Sequence, residues 1–189
     1  GEHAVVYGHP ALAVSIDMRL ELKISKLSTT SKFHMINGKE IKRKHHPHIF
    51  DALQEIWSSK SQMLNINVSS EIPTSAGLGS SAALSVAIAM GLNSLKDKKE
   101  DLEKISTIAH KLEASAQGGL ASPMDTSTST HGGCVLLANK KLGDNWLYSR
   151  TLNDKKWEIH SFDLHQNMKN ASIVIGYTGI NGSTAQMVK

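Results

Sequence analysis

The chain has one cysteine, no long apolar run and none of the common phosphate-loop lysines. Each scarcity excludes something. Cys134 stands alone among 189 residues. A single thiol cannot build a disulfide framework and fits a reducing compartment. Its neighbours Val135, Leu136 and Leu137 predict a buried strand and an inert thiol. Ala82 to Leu92 is apolar but too short to cross a membrane. The first residues do not read as a signal peptide. A cytoplasmic protein without a membrane partner is the expectation. With 40% hydrophobic and 20% charged residues, the length suits one globular domain, or one domain and part of another.

The net charge is +4 and the pI about 9.1. That balance suits nucleic acid or anionic substrates. The densest run, Lys39 to His48, reads as a solvated loop. Its histidines are read as having no Cys or acidic partner, so a metal site there is not expected.

What is present centres on Pro73-Thr74-Ser75-Ala76-Gly77-Leu78-Gly79-Ser80-Ser81-Ala82-Ala83. Apolar residues at Leu64, Ile66 and Val68 alternate before it and predict a strand. Ala82 to Leu95 after it predicts a buried helix. A Gly/Ser loop therefore leads into a helix N-terminus. The first N–H groups of a helix lack internal partners and carry the positive dipole end. Glycines let an anion approach them. This is a phosphate site in outline. The alternative is an ordinary strand-to-helix turn with Ser80 or Ser81 as N-cap.

Rival phosphate motifs fit poorly. No Lys follows Gly79, so this is not a Walker loop. The dinucleotide pattern needs a second strand ending in an acid about 20 residues on; Lys96 to Asp101 is a charged loop instead. The chain has no His-Arg-Asp or Asp-Phe-Gly triplet of a protein kinase.

The remaining chain mixes strands and helices. Ala11–Asp17 and Leu20–Leu27 predict strands, the second with one wet face. Asn37-Gly38 predicts a type I′ hairpin between 33–36 and 39–42. Pro47 to Ser59 predicts a helix with an apolar stripe, and Glu100 to Ser115 another, on Leu102, Ile105, Ile108, Ala109 and Leu112. Gly118-Gly119 ends that helix. Strands are expected over 133–138, 145–150, 157–162 and 171–177, then a Gly-containing loop over 178–183 and a helix from 184. No regular alternation links them, which argues for an α+β fold.

A second constellation follows the loop. Glu113 lies near a helix end, and Asp125 stands twelve residues on, in a Ser/Thr-rich loop after the Gly-Gly break. Two carboxylates beside a phosphate site can divide the labour: one holds Mg²⁺ and the other accepts a proton from a substrate hydroxyl. The bland alternative is a helix-capping Asp125 and a solvated Glu113.

Three segments taken together carry a resemblance. They are Gly1-Glu2-His3-Ala4-Val5-Val6-Tyr7-Gly8, Pro73 to Ala83, and Ser122-Pro123-Met124-Asp125-Thr126-Ser127-Thr128-Ser129-Thr130 with Gly132-Gly133. In this order they resemble the family of galactokinase, homoserine kinase, mevalonate kinase and phosphomevalonate kinase, and within it the archaeal-type mevalonate kinases.

The resemblance implies an α+β fold: a ribosomal protein S5 domain 2-like N-terminal domain over 1–168, then the truncated start of a ferredoxin-like C-terminal domain over 169–189. It implies ATP-dependent phosphorylation of the mevalonate 5-hydroxyl in isoprenoid biosynthesis. Pro73, Ser75, Ala76, Gly77, Leu78, Gly79, Ser80 and Ser81 would hold the ATP phosphates. Ser81 and Glu113 would hold Mg²⁺, Asp125 would be the catalytic base, and Glu2 and His3 would line the mevalonate pocket. A homodimer is expected. The family also carries a Lys upstream of the Gly-Glu-His segment and a Gly-rich C-terminal motif. Neither lies within these residues, so the chain is expected to be part of a longer enzyme and inactive alone. Phosphomevalonate kinase is the rival within the family. The rival outside enzymes is a basic RNA-binding module of the same fold. It needs interleaved exposed aromatics or a known RNA motif, and Lys39 to His48 shows neither. Nucleic acid is therefore not an expected partner.

Overall fold

Alternation builds the first sheet. A computed structural model of the chain describes residues 4–7, 9–28, 30–58, 62–96, 99–119, 121–162, 172 and 174–176. Strand β2 (Leu20–Lys26) keeps Leu20, Leu22 and Ile24 half-buried and exposes Glu21, Lys23 and Ser25. It pairs antiparallel with β5 (Leu64–Ser70), whose Leu64 and Ile66 are fully buried. The short hairpin β3 (Met35–Ile36) and β4 (Lys39–Glu40) turns on Asn37 and Gly38, both at positive φ, as the Asn-Gly pair requires. Because β3 runs parallel to β5, this four-stranded sheet, ordered β2-β5-β3-β4, is mixed.

The second sheet is antiparallel, ordered β1-β6-β8-β7, from β1 (Ala11–Val14), β6 (Cys134–Ala138), β7 (Trp146–Leu152) and β8 (Lys155–Phe162). Cys134 is buried in β6 and its thiol pKa is raised by that burial, as an inert position should be.

Helices join the two sheets. α1 (Pro47–Ala52) runs into a π-helical turn, Leu53–Trp57, which ends at Ser58 in the left-handed region. The sequence predicts one regular helix there. α2 (Ser80–Ser94) packs on β2, α3 and α4. Gly91 is needed at the sheet contact, since a Cβ there would meet Ile24 Cδ1 at 2.8 Å. α3 (Leu102–Ala116) starts at Asp101, whose Oδ1 accepts from Lys104 N at 3.0 Å, a proper N-cap. Ile105, Ala109 and Leu112 of its predicted stripe are buried, but Leu102 at its start is exposed. Gly118 and Gly119 end it at positive φ.

The Ser/Thr-rich run after them corrects the sequence reading. It forms a helix, α4 (Met124–His131), not a loop. The hydroxyls fold back on the helix: Thr128 Oγ1 donates to Met124 O at 2.9 Å, and Thr130 Oγ1 to Thr126 O at 2.6 Å. Packing against α2, α3, β1 and β6 then overrides low helix propensity.

Two apolar clusters result. One lies between the mixed sheet and α1, α2 and α3, with Ile49, Leu64, Ile88, Leu92 and Leu112 at its centre. The other joins the antiparallel sheet to α4 through Val5, Met124, Val135, Leu137, Trp157 and Ile159. Trp157 Nε1 donates to Val5 O at 3.0 Å, which ties the N-terminal 3-10 turn (Ala4–Tyr7) to β8. The architecture is α+β, as expected. The strand at 171–177, the segment after it and the domain proposed for 169–189 lie largely or wholly outside the described residues. No described helix is long and apolar enough to cross a membrane.

The β7–β8 hairpin carries a buried carboxylate, Glu158. Burial pushes its pKa up, but three donors outweigh that and hold it down to about 2, below the ordinary 4.5. They are Lys156 Nζ at 2.8 Å, Ser149 Oγ at 2.6 Å and Trp146 Nε1 at 2.7 Å. A depressed folded-state pKa contributes stability above the unfolded value and loses it as pH falls. Glu158→Gln should therefore melt lower than wild type at pH 7. The gap should shrink between pH 4.5 and about 2. Paired thermal melts across that range check it, and a pH-independent gap would assign the loss to packing alone.

Candidate active site

The Gly/Ser loop is shaped by alternating backbone signs. Ser75, Gly77 and Gly79 sit at φ values of 59°, 72° and 68°, while Ala76 and Leu78 between them do not. Such alternation turns successive N–H groups toward one side, the geometry of an anion-binding nest. The N-cap of α2 is Gly79, not Ser80 or Ser81. A glycine has no side chain to close off the first-turn N–H groups, so the capping alternative fails for the serines.

Asp125 sits in the first turn of α4, behind Pro123 as N-cap. It is an exposed first-turn acid rather than a cap, in a position the helix dipole favours. Packing of α4 on α2 brings it to the loop. A Cβ built on Gly79 would lie 3.6 Å from Asp125 Cβ, Cγ and Oδ2. The two line one cavity of about 460 Å³, with Gly77 and Leu78. Ile16, Met18, Val86 and Met90 form an apolar wall of the same cavity, and Arg19, 2.6 Å from Asp17, also lines it. Of the loop residues expected to hold phosphate, Gly77, Leu78 and Gly79 line this cavity. Pro73, Ser75, Ala76, Ser80 and Ser81 are not among its lining residues; the first three precede Gly77 on the loop and the two serines open α2.

Glu113 is not a solvated helix-end carboxylate. It is buried, and Ser81 Oγ donates to its Oε1. Gln117 Nε2 donates to the same oxygen at 2.6 Å. Ser85 Oγ donates to Oε2 at 3.2 Å, and His48 Nε2 lies 3.3 Å from Oε2 without an aligned hydrogen bond. Burial acts to raise this pKa; His48, Ser81 and Ser85 outweigh it and hold the carboxyl below its ordinary value. The expected pair Ser81 and Glu113 is thus brought into contact across 32 residues.

This donor set fits Mg²⁺. An ionised carboxylate and a hydroxyl are oxygen ligands of the right hardness, and Mg²⁺ is commonly held by one or two carboxylates plus substrate phosphates and water. Among the described residues no group of three or more His, Cys, Asp or Glu side chains could hold a metal unaided. Beyond these two the described residues offer a metal no ligand cluster, which leaves its other positions to substrate phosphates and water.

Some site residues escape sequence reading. His48 belongs to the run expected to be a solvated loop. That expectation holds for Lys42 to His45, which are exposed, and is corrected on either side: Ile41 is buried, and His46, Pro47 and His48 are half-buried. His48 enters α1 beside Ile49, and only the helix period hints that it turns inward. His110 is also buried. Its Nε2 donates to Ala121 O at 3.1 Å, and burial lowers its pKa to about 4, so it is neutral. It pins the turn four residues before Asp125. Glu2 and His3 lie outside the described residues.

Comparison with known proteins agrees with this architecture. Residues 41–133 match the family described as GHMP kinases N terminal domain. Mevalonate kinase of Methanothermobacter thermautotrophicus is 32% identical over all of this chain and 56% of that protein. Mevalonate kinase of Archaeoglobus fulgidus is 33% identical over 75% of this chain and 50% of that protein. The crystal structure of the Methanococcus jannaschii mevalonate kinase superposes with a TM-score of 0.61 and 26% identity, over 77% of this chain and 52% of that one. Over residues 41–133 the chain is thus similar to GHMP kinase N-terminal domains. Its likeness is to mevalonate kinases, most of them archaeal. The chain spans about half the length of the curated relatives it matches.

Proposed function

We propose that this chain supplies the phosphate-binding and catalytic part of a kinase that transfers the γ-phosphoryl group of ATP to the 5-hydroxyl of mevalonate. The observation that carries the reading is the shared cavity in which the missing side chain of Gly79 lies 3.6 Å from the Asp125 carboxylate. A phosphate at the loop and a hydroxyl at Asp125 are then neighbours. The apolar wall of Ile16, Met18, Val86 and Met90 suits the methyl and methylene groups of mevalonate, and Arg19 suits its carboxylate.

Phosphoryl transfer needs positioning and charge compensation more than covalent chemistry. The loop and first-turn N–H groups of α2 hold the phosphates and offset charge on them. Asp125 orients the substrate hydroxyl and takes its proton as the new P–O bond forms and the bond to ADP breaks. Ser81 and Glu113 would hold Mg²⁺, which when bound would neutralise phosphate charge. A coupled ADP-release assay on the full-length protein tests the reading with mevalonate, phosphomevalonate, homoserine and galactose as acceptors. Turnover with mevalonate is expected. Turnover restricted to another acceptor would move the assignment within the family.

The metal role has its own check. Glu113→Gln keeps the shape and its hydrogen-bond reach but removes the charge. The Mg²⁺ concentration for half-maximal activity should rise. An unaltered Mg²⁺ curve would leave Glu113 a structural carboxylate.

A further inference from the structure

Glu113 offers two differently held oxygens. Oε1 faces Ser81, the other expected ligand, and Gln117. Oε2 faces away, toward Ser85 of α2 at 3.2 Å and His48 of α1 at 3.3 Å. His48 and Glu113 are both well enclosed, with side chains 15% and 7% exposed. His48 is itself held in place. Asp51, one turn further along α1, accepts from Ser115 Oγ of α3 at 2.8 Å. Arg43 bridges both, with Nη2 3.1 Å from Asp51 Oδ2 and 3.2 Å from Ser115 Oγ. This latch fixes α1 on α3 two residues from Glu113. An isolated carboxylate on a helix end swings about its χ angles; one whose second oxygen accepts from Ser85 and lies 3.3 Å from the enclosed His48 imidazole has little room to.

We propose that His48 is a positioning residue for the metal-binding carboxylate. With Ser85 it holds Oε2 of Glu113, so that Oε1 is presented beside the Ser81 hydroxyl to a divalent cation carried by ATP. Groups behind a metal ligand commonly change metal affinity about 10–100-fold when removed. The inference rests on the reading that Glu113 holds Mg²⁺.

The test is calorimetric titration of the full-length protein with ATP in Mg²⁺ and in EDTA, beside Mn²⁺ binding followed by electron paramagnetic resonance. His48→Ala should weaken Mn²⁺ binding in the presence of ATP by about 10-fold or more, with metal-free ATP affinity little changed. His48→Gln retains a donor of similar reach and should recover much of the loss. His48→Phe keeps ring volume without nitrogen. It should behave like Ala, and it serves if Ala proves unstable. A drop in Tm with unchanged metal affinity in both Ala and Phe variants would overturn the proposal. Glu113→Gln run in parallel separates the two levels. If it too leaves metal affinity unchanged, the metal reading fails and the proposal with it. If it weakens the metal while the His48 variants do not, the proposal fails alone.

Discussion

The full-length Asp125→Asn protein should fold, bind ATP and lose about 10²–10⁴-fold in kcat, the usual cost of removing a general base. The structure sharpens this expectation. Asp125 is not an N-cap, because Pro123 holds that place. As a first-turn acid its charge on the helix dipole contributes roughly 0.3–1 kcal/mol. Asn keeps the shape and can still hydrogen-bond, so the thermal melt should move little. The adjacent Met124 remains anchored in the apolar cluster with Val135 and Trp157, and Thr126, Ser127 and Thr128 stay buried behind it. What Asn cannot do is accept a proton or orient the hydroxyl by charge. The rate should therefore collapse while KM for mevalonate changes much less. Steady-state kinetics beside a melt decide it. A variant that keeps more than about a tenth of wild-type kcat retains far more than base removal leaves, and Asp125 would then be no more than a favourable first-turn charge.

How far such a site can be read from sequence depends on which forces fix each part. The Asn37-Gly38 hairpin and β5 are legible because local rules decide them: positive φ at the turn, and period-2 burial at Leu64 and Ile66. The loop entering α2 is legible for the same reason. α4 is not. Thr126, Ser127 and Thr128 are weak helix formers by themselves, and only burial between α2, α3, β1 and β6 makes a helix of them. The environment of Glu113 is illegible in another way. Ser81, Ser85 and His48 come from two other helices, and His48 lies 65 residues away in a run whose composition reads as solvated. Periodicity can show that a side chain turns inward. It cannot show what that side chain meets. The motif residues Ser81, Glu113 and Asp125 could be picked out from the sequence, but the contact of Glu113 with Ser81 and the approach of Asp125 to Gly79 are products of tertiary structure.

Gly79→Val is expected to abolish ATP binding while leaving the fold intact. Three effects act at this position, and they point the same way. At φ +68° any L-residue is strained, by roughly 1–2 kcal/mol, and a β-branched one most. The N–H groups that open α2 would face a methyl group where phosphate must come close. The new Cβ would stand 3.6 Å from the Asp125 carboxylate, and its branches would reach further into the cavity that the two residues share. Gly79→Ala separates these terms. Its Cβ makes only ordinary van der Waals contact with Asp125, so it carries the backbone strain with little steric block, and its ATP affinity should fall less. Strain of that size lowers Tm by only a few degrees, about 2–4 °C per kcal/mol for a domain of 150–250 residues, so both variants should remain folded. Calorimetric titration with Mg²⁺–ATP should show no measurable heat for Val and a weakened isotherm for Ala. Wild-type affinity in the Val variant would mean that the phosphates bind elsewhere, and the loop would return to being a strand-to-helix turn.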